Sequence, residues 1–253
     1  GFPIYDPLPG TKQEVDAQLD LDYSPRYVKN HVDYLSGLMN WAIKEGHILK
    51  NTTLEVHLGN YKPPVHILKP SELKQLLKHA THYTRAWIML GAFGGLRSAE
   101  IKLIKWDHIR LDENQFYCPG KKNVGAERWV TMTPPLRAYF EEMLTPPDNA
   151  PEGWQRKGYI MKNAHSVTIH RWLEKLYCEA DQRIPRNALR HSYGSHHLVG
   201  FGNQFTTAAE MGHATPETTY AYYRAAVTKA QADRYWKINS ANNSAEELAL
   251  QAA

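Results

Sequence analysis

Arg97, Arg190, His213 and a tyrosine at 222 or 223 are the side chains of this 253-residue chain best suited to chemistry on a phosphate. The run Asn187-Ala188-Leu189-Arg190-His191-Ser192-Tyr193-Gly194-Ser195 is followed by Met211-Gly212-His213 and then by Tyr222-Tyr223-Arg224. It has an upstream counterpart in Gly94-Gly95-Leu96-Arg97-Ser98-Ala99-Glu100. Two arginines, a lysine, a histidine and a late tyrosine form a set able to attack a phosphodiester. The guanidiniums neutralise a pair of non-bridging oxygens, and the tyrosine hydroxyl is a covalent nucleophile.

These residues need a frame. Apolar and aromatic side chains at Tyr27, Val28, Val32, Tyr34, Leu35, Leu38, Met39, Ala42 and Ile43 recur at helical spacing, which predicts a helix over 26–46 ended by Gly46. Gly59, Pro63 and Pro64 predict an extended linker over 57–69. Ser71 is a candidate N-cap for a helix over 72–80, with further helices at 84–94 and 97–104. The pattern then changes. His108–Leu111, Gln115–Cys118 and Arg128–Met132 read as short strands, the last two joined by the polar turn Gly120-Lys121-Lys122-Asn123-Val124-Gly125. Pro134-Pro135 opens another helix. From 165 onward the reading is helical, with breaks near 182–186, 200–203 and 213–216. The fold class is therefore mainly α with one small three-stranded antiparallel sheet.

Bulk properties set outer limits. Hydrophobic content of 42% and seven tryptophans imply a packed core. The net charge of +4 fits a nucleic-acid partner without requiring one, and thirteen histidines would add to it if held protonated near phosphates. Two cysteines are too few for a disulfide framework and point to a reducing compartment. The sequence holds no apolar run long enough to span a membrane and no signal-peptide pattern. Gly1 in the first position suggests that the native chain begins further upstream.

The ordered boxes resemble the tyrosine recombinase, or phage integrase, family. Gly95-Leu96-Arg97-Ser98-Ala99-Glu100-Ile101 is similar to its first arginine box, and Leu189-Arg190-His191-Ser192 to its second. Met211-Gly212-His213 is similar to the Leu-Gly-His element before the nucleophile. The resemblance implies a catalytic domain over 70–237, preceded by part of a helical, DNA-gripping core-binding domain over 1–56 and followed by a tail over 238–253. It implies that Arg97 and Arg190 grip the scissile phosphate and that His213 donates to a phosphate oxygen or positions the tyrosine. Glu100 orients a neighbouring arginine or histidine. A mobile lysine, Lys121 or alternatively Lys122, protonates the departing 5′-oxygen. Tyr223 is taken as the nucleophile, with Tyr222 as the alternative. His191 is read as structural.

One position departs from the family pattern. Three residues before the second arginine the family usually has histidine; here it is Asn187, which donates a hydrogen bond but carries no proton at neutral pH. The expected reaction is a transesterification through a 3′-phosphotyrosyl link on double-stranded DNA. It needs no ATP, metal or other cofactor, because bond energy is conserved and fixed cations balance charge. Four protomers would assemble on two duplexes, in the cytoplasm of a bacterial host. The alternatives are a type IB topoisomerase-like enzyme and a non-catalytic DNA-binding regulator. In the tail, Ser244–Leu250 reads as a short capped helix too short to stand alone, which would dock on this or a neighbouring protomer.

Overall fold

The computed structural model divides at Pro64 and Val65 into two units, within the stretch read as a linker. The structure describes residues 25–56, 65–120, 127–223 and 227–238, without the side chains of 218 and 220–222. Lys121, Lys122 and the tail helix at 244–250 thus lie outside the described residues.

The first unit contains helix α1, Pro25–Lys44, and a 3-10 turn, Thr52–Glu55. The Asn51 side-chain amide ties the turn to the helix, donating to the Ser36 carbonyl and hydroxyl and to Asn40 Oδ1. The helix read from the apolar stripe is present, and Tyr34, Leu35 and Leu38 of that stripe are exposed, as is Trp41 beside them.

The second unit begins with 65–69, which does not behave as free linker. Leu68 is buried, and its amide donates to Ser192 Oγ. Helix α2 spans Pro70–Lys78, two residues earlier than the sequence suggests. Pro70 occupies its first turn, where a missing N–H costs nothing. Lys69 is the cap position, its amide bonded to the Glu72 carboxylate, so Ser71 lies inside the helix and does not cap it. Helix α3, His82–Ile88, runs into a π turn, Met89–Phe93, which is wholly buried, and then into the short α4, Ser98–Ile101.

Strands β1 (Ile109–Arg110), β2 (Gln115–Cys118) and β3 (Arg128–Thr131) form one antiparallel sheet in the order β1-β2-β3. Phe116 pairs with Val130, both buried, while Tyr117 and Trp129 pair on the other face. This two-residue alternation is what a half-covered sheet requires. Helices α5 (Pro134–Leu144) and α6 (Ser166–Glu179) follow.

Helix α7, Ala188–Phe201, is the central post, buried along most of its length. A helix surrounded on all sides must pair its polar groups internally. Ser192 Oγ donates to the Ala188 carbonyl, His196 Nδ1 donates to the Ser192 carbonyl while its ring stacks on Tyr235, and His197 Nδ1 meets Thr207 Oγ1. Helices α8 (Gln204–Met211), α9 (Pro216–Tyr223) and α10 (Lys229–Tyr235) close the unit. Tyr193, Met211 and Tyr223 form a small apolar cluster of their own beside the main core. The mainly α class with one three-stranded sheet is the architecture observed.

Candidate active site

The two arginine boxes meet at the end of α8. Arg97 has extended backbone (φ −75°, ψ 152°) at the cap position of α4, so it turns out of the helix that follows. Its Nη2 donates to the Gly212 carbonyl at 2.9 Å and its Nη1 to the Met211 carbonyl at 3.5 Å. Arg190, on the first turn of α7, donates to the Met211 carbonyl at 2.6 Å and the Gly95 carbonyl at 2.5 Å. Both guanidiniums thus sit at the carbonyl end of α8, where the helix dipole favours positive charge. Gly212 is the left-handed cap of that helix (φ +63°), and a Cβ there would lie 2.7 Å from the Arg128 guanidinium. No larger residue fits without moving Arg128.

Glu100 is shared by three guanidiniums. It accepts from the Arg97 amide and Nη1, both at 2.8 Å, and from Arg128 Nη1 and Nη2, both at 3.2 Å, and stands 3.7 Å from Arg190 Nη1. Burial pushes its carboxyl up, but the hydrogen bond and charge of Arg128, the Arg97 amide and Arg190 outweigh burial and hold it below the usual carboxylate value. One buried negative charge is therefore set against three positive ones. Arg190 is itself brought down to about 10 by burial and by Arg97, which still leaves it charged at neutral pH.

A cavity of about 340 Å³ opens over this cluster, lined by Arg97, Arg186, Asn187, Arg190, His191, His213 and Tyr223, among others. It brings together five residues singled out from the sequence: Arg97, Asn187, Arg190, His213 and Tyr223. A neighbouring cavity of about 430 Å³ shares Asn187 and Arg190 but is walled by Trp87, Leu173, Tyr177 and Ile184. His213 Nδ1 lies 2.6 Å from Thr219 Oγ1, and burial together with Arg190 and Arg97 pushes its imidazole down to about 4. Its ring lies nearly parallel to that of Tyr223, with centroids 6.2 Å apart. Tyr223 is buried, and its ring presses on α7 where Gly194 has no side chain; a Cβ there would be 2.6 Å from Cε2. Asn187 is exposed in the left-handed conformation (φ +65°), which asparagine tolerates better than most residues.

Three residues here escaped the sequence reading. Arg128 had been read only as a strand residue. Its side chain is only 8% exposed, donates from Nε to the Glu210 carbonyl at 2.7 Å and binds Glu100, so it joins the sheet to both α8 and α4. Glu210 is buried and accepts from the Thr131 amide; burial raises its carboxyl. His191, read as structural, lines the cavity with Nδ1 3.1 Å from the Tyr223 hydroxyl. Its place immediately after Arg190 was the available signal, but helical spacing alone aims it at another face. All six histidines with a resolved shift (His82, His108, His191, His196, His197 and His213) are lowered, first by burial.

The sequence pattern of the Phage integrase family matches residues 66–229, more than half of the chain and every candidate residue above. The chain belongs to that family. Tyrosine recombinase XerC of Chlamydia caviae is 25% identical over 211 residues, covering 78% of this chain and 67% of that one. Among solved structures, the Tn1549 transposon integrase in complex with transposon right end DNA aligns with a TM-score of 0.58 at 15% identity, over 95% of this chain and 84% of that one. A lambda integrase dimer bound to a COC' core site aligns with a TM-score of 0.57 at 15% identity, over 86% and 81%. At such identities the structural likeness is one of fold. In family and in fold, then, this integrase-family chain is a tyrosine recombinase. Among its described residues no helix is long and apolar enough to cross a membrane.

Proposed function

We propose that this chain cuts and rejoins double-stranded DNA by transesterification, with Tyr223 as nucleophile. The observation that supports this most is the position of Tyr223: its ring is seated between α7 and His213, on the wall of the cavity that Arg97 and Arg190 also line. A phosphodiester entering the cavity meets the exposed side of Arg97 (42% of its side chain) and the rim of Arg190. Attack by the tyrosine oxygen forms a 3′-phosphotyrosyl bond and releases the 5′-oxygen, which takes a proton from Lys121. The phosphoryl bond energy is retained, so a second 5′-hydroxyl reverses the step without nucleotide hydrolysis. Charge that grows on the non-bridging oxygens is met by fixed guanidiniums, held in place by Glu100 before substrate arrives. Asn187 contributes a hydrogen-bond donor. The partner is a duplex recombination site, and exchange between two duplexes uses four protomers. The DNA complexes of the Tn1549 and lambda integrases support the choice of partner.

The test is covalent trapping. A nicked duplex made from DNA flanking the native gene is incubated with the chain, and the protein–DNA adduct is resolved on a denaturing gel and mapped by mass spectrometry. Wild type and Tyr222→Phe form the adduct; Tyr223→Phe forms none while still shifting the same duplex. An adduct mapped to Tyr222 moves the nucleophile by one residue. Absence of any wild-type adduct on DNA that the chain binds overturns the reaction.

A further inference from the structure

We propose that His191 is a further catalytic residue, the base that takes the Tyr223 proton, a role that rests on the transesterification reading above. Its Nδ1 is 3.1 Å from the Tyr223 hydroxyl, within reach for direct proton transfer, and the two rings are tilted at 52° with centroids 5.9 Å apart. The helix fixes this geometry. The His191 amide bonds to the Asn187 carbonyl at 2.8 Å, and the next turn of α7 carries Gly194, against which the Tyr223 ring rests.

The charged and titratable groups that line the cavity with His191 are Arg97, Arg186, Arg190, His213 and Tyr223. The three guanidiniums offer donors only and no acceptor for a proton. Asn187, in the position where the family usually has histidine, carries no ionisable proton. His213 has its Nδ1 engaged with Thr219. Burial and then Arg190 lower the His191 imidazole, so it is neutral and able to accept a proton before DNA binds. A phosphodiester entering the cavity offsets the Arg190 charge and makes the imidazole more basic when the proton has to move.

The step balances. With its own proton on Nε2, His191 takes the hydroxyl proton on Nδ1 as the Tyr223 oxygen bonds to phosphorus. The bond from phosphorus to the 5′-oxygen breaks, and that oxygen is protonated from the lysine side of the site. In the reverse step the His191 imidazolium returns its proton to the departing tyrosine.

The experiment uses the full chain and the nicked duplex above, with either the ordinary scissile phosphodiester or a 5′-bridging phosphorothiolate. Sulfur departs as thiolate and needs no acid, so defects on the leaving-group side recover on that substrate and defects on the nucleophile side persist. His191→Gln keeps a hydrogen-bonding side chain but takes no proton; His191→Ala removes both. The expected result is that both variants melt within a few degrees of wild type and form adduct about 100-fold or more slowly on both substrates. Recovery on the sulfur substrate would place His191 on the leaving-group side, and a wild-type rate for His191→Gln would show that its proton chemistry is not used; either overturns the assignment. Failure of wild type to form adduct on either substrate would overturn the transesterification reading and this one with it, whereas a normal Tyr223 adduct with an indifferent His191 overturns this one alone.

Discussion

Replacing Glu100 by glutamine is the sharpest test of how the site is held. The change keeps shape and removes the one carboxylate shared by Arg97, Arg128 and Arg190. The Arg97 contact is discounted, because that side chain is 42% exposed and solvent screens it. Arg128 and Arg190 are 8% and 7% exposed, and breaking a buried pair on one side costs about 3–5 kcal/mol. Glutamine retains one accepting oxygen but turns an NH₂ toward a guanidinium, so the lower end, about 3 kcal/mol, is the expected loss. For a domain of this size that is a fall in melting temperature of roughly 6–12 °C. Three crowded guanidiniums without their carboxylate also gain more from an anion, so sulfate raises the melting temperature of Glu100→Gln more than that of wild type. Because Glu100 is held below its unfolded value, its stabilisation is present above the ordinary carboxylate range and is lost as pH falls through the folded value. The variant lacks that acid-side loss. Differential scanning calorimetry in chloride and in sulfate reads both effects. A Glu100→Gln protein that melts with wild type and responds equally to sulfate would refute the shared-carboxylate account.

Other outcomes follow from the same geometry. Arg97→Ala slows adduct formation by about 100-fold, the loss of one fixed donor to developing charge, and Arg97→Lys recovers little because it cannot span Glu100 and the Gly212 carbonyl together; single-turnover rates check both. Asn187→Gly melts with wild type and loses only the amide, giving a modest drop in rate, while Asn187→Ala adds roughly 1–2 kcal/mol of left-handed strain and Asn187→His keeps or raises the rate. Paired melting curves and adduct rates separate the backbone effect from the amide. His196 and His197 are pushed down to about 4 by burial, so between that value and 6.5 the unfolded chain binds more protons. Stability is complete above about pH 7 and falls on acidification, by about 1.4 kcal/mol per histidine at pH 5.5, which urea unfolding at the two pH values measures.

The sequence by itself determined the class, the order of elements and most of the candidate residues. Strand alternation at Gln115–Cys118 and Arg128–Thr131, helical spacing in α1, and proline at the start of α5 are local signals, and local signals survive without a fold. Arg97, Arg190, His213 and Tyr223 stood out as candidates because each lies in a short run whose residue types suit phosphate chemistry, and the fold brings all four to one cavity. The tertiary structure alone decided what those residues do to one another. Arg128 and Glu100 are 28 residues apart, and nothing in either run announces the bond between them. The Met211 and Gly212 carbonyls became acceptors for Arg97 and Arg190 only because α8 ends against α4 and α7. His191 looked like a helix residue turned away from Arg190, and it faces the site because α9 brings Tyr223 back across α7. Spacing along a chain fixes which face a side chain occupies on its own helix. Packing of helices distant in sequence fixes what that face meets, and the burial this imposes lowers the enclosed imidazoles, that of His213 to about 4.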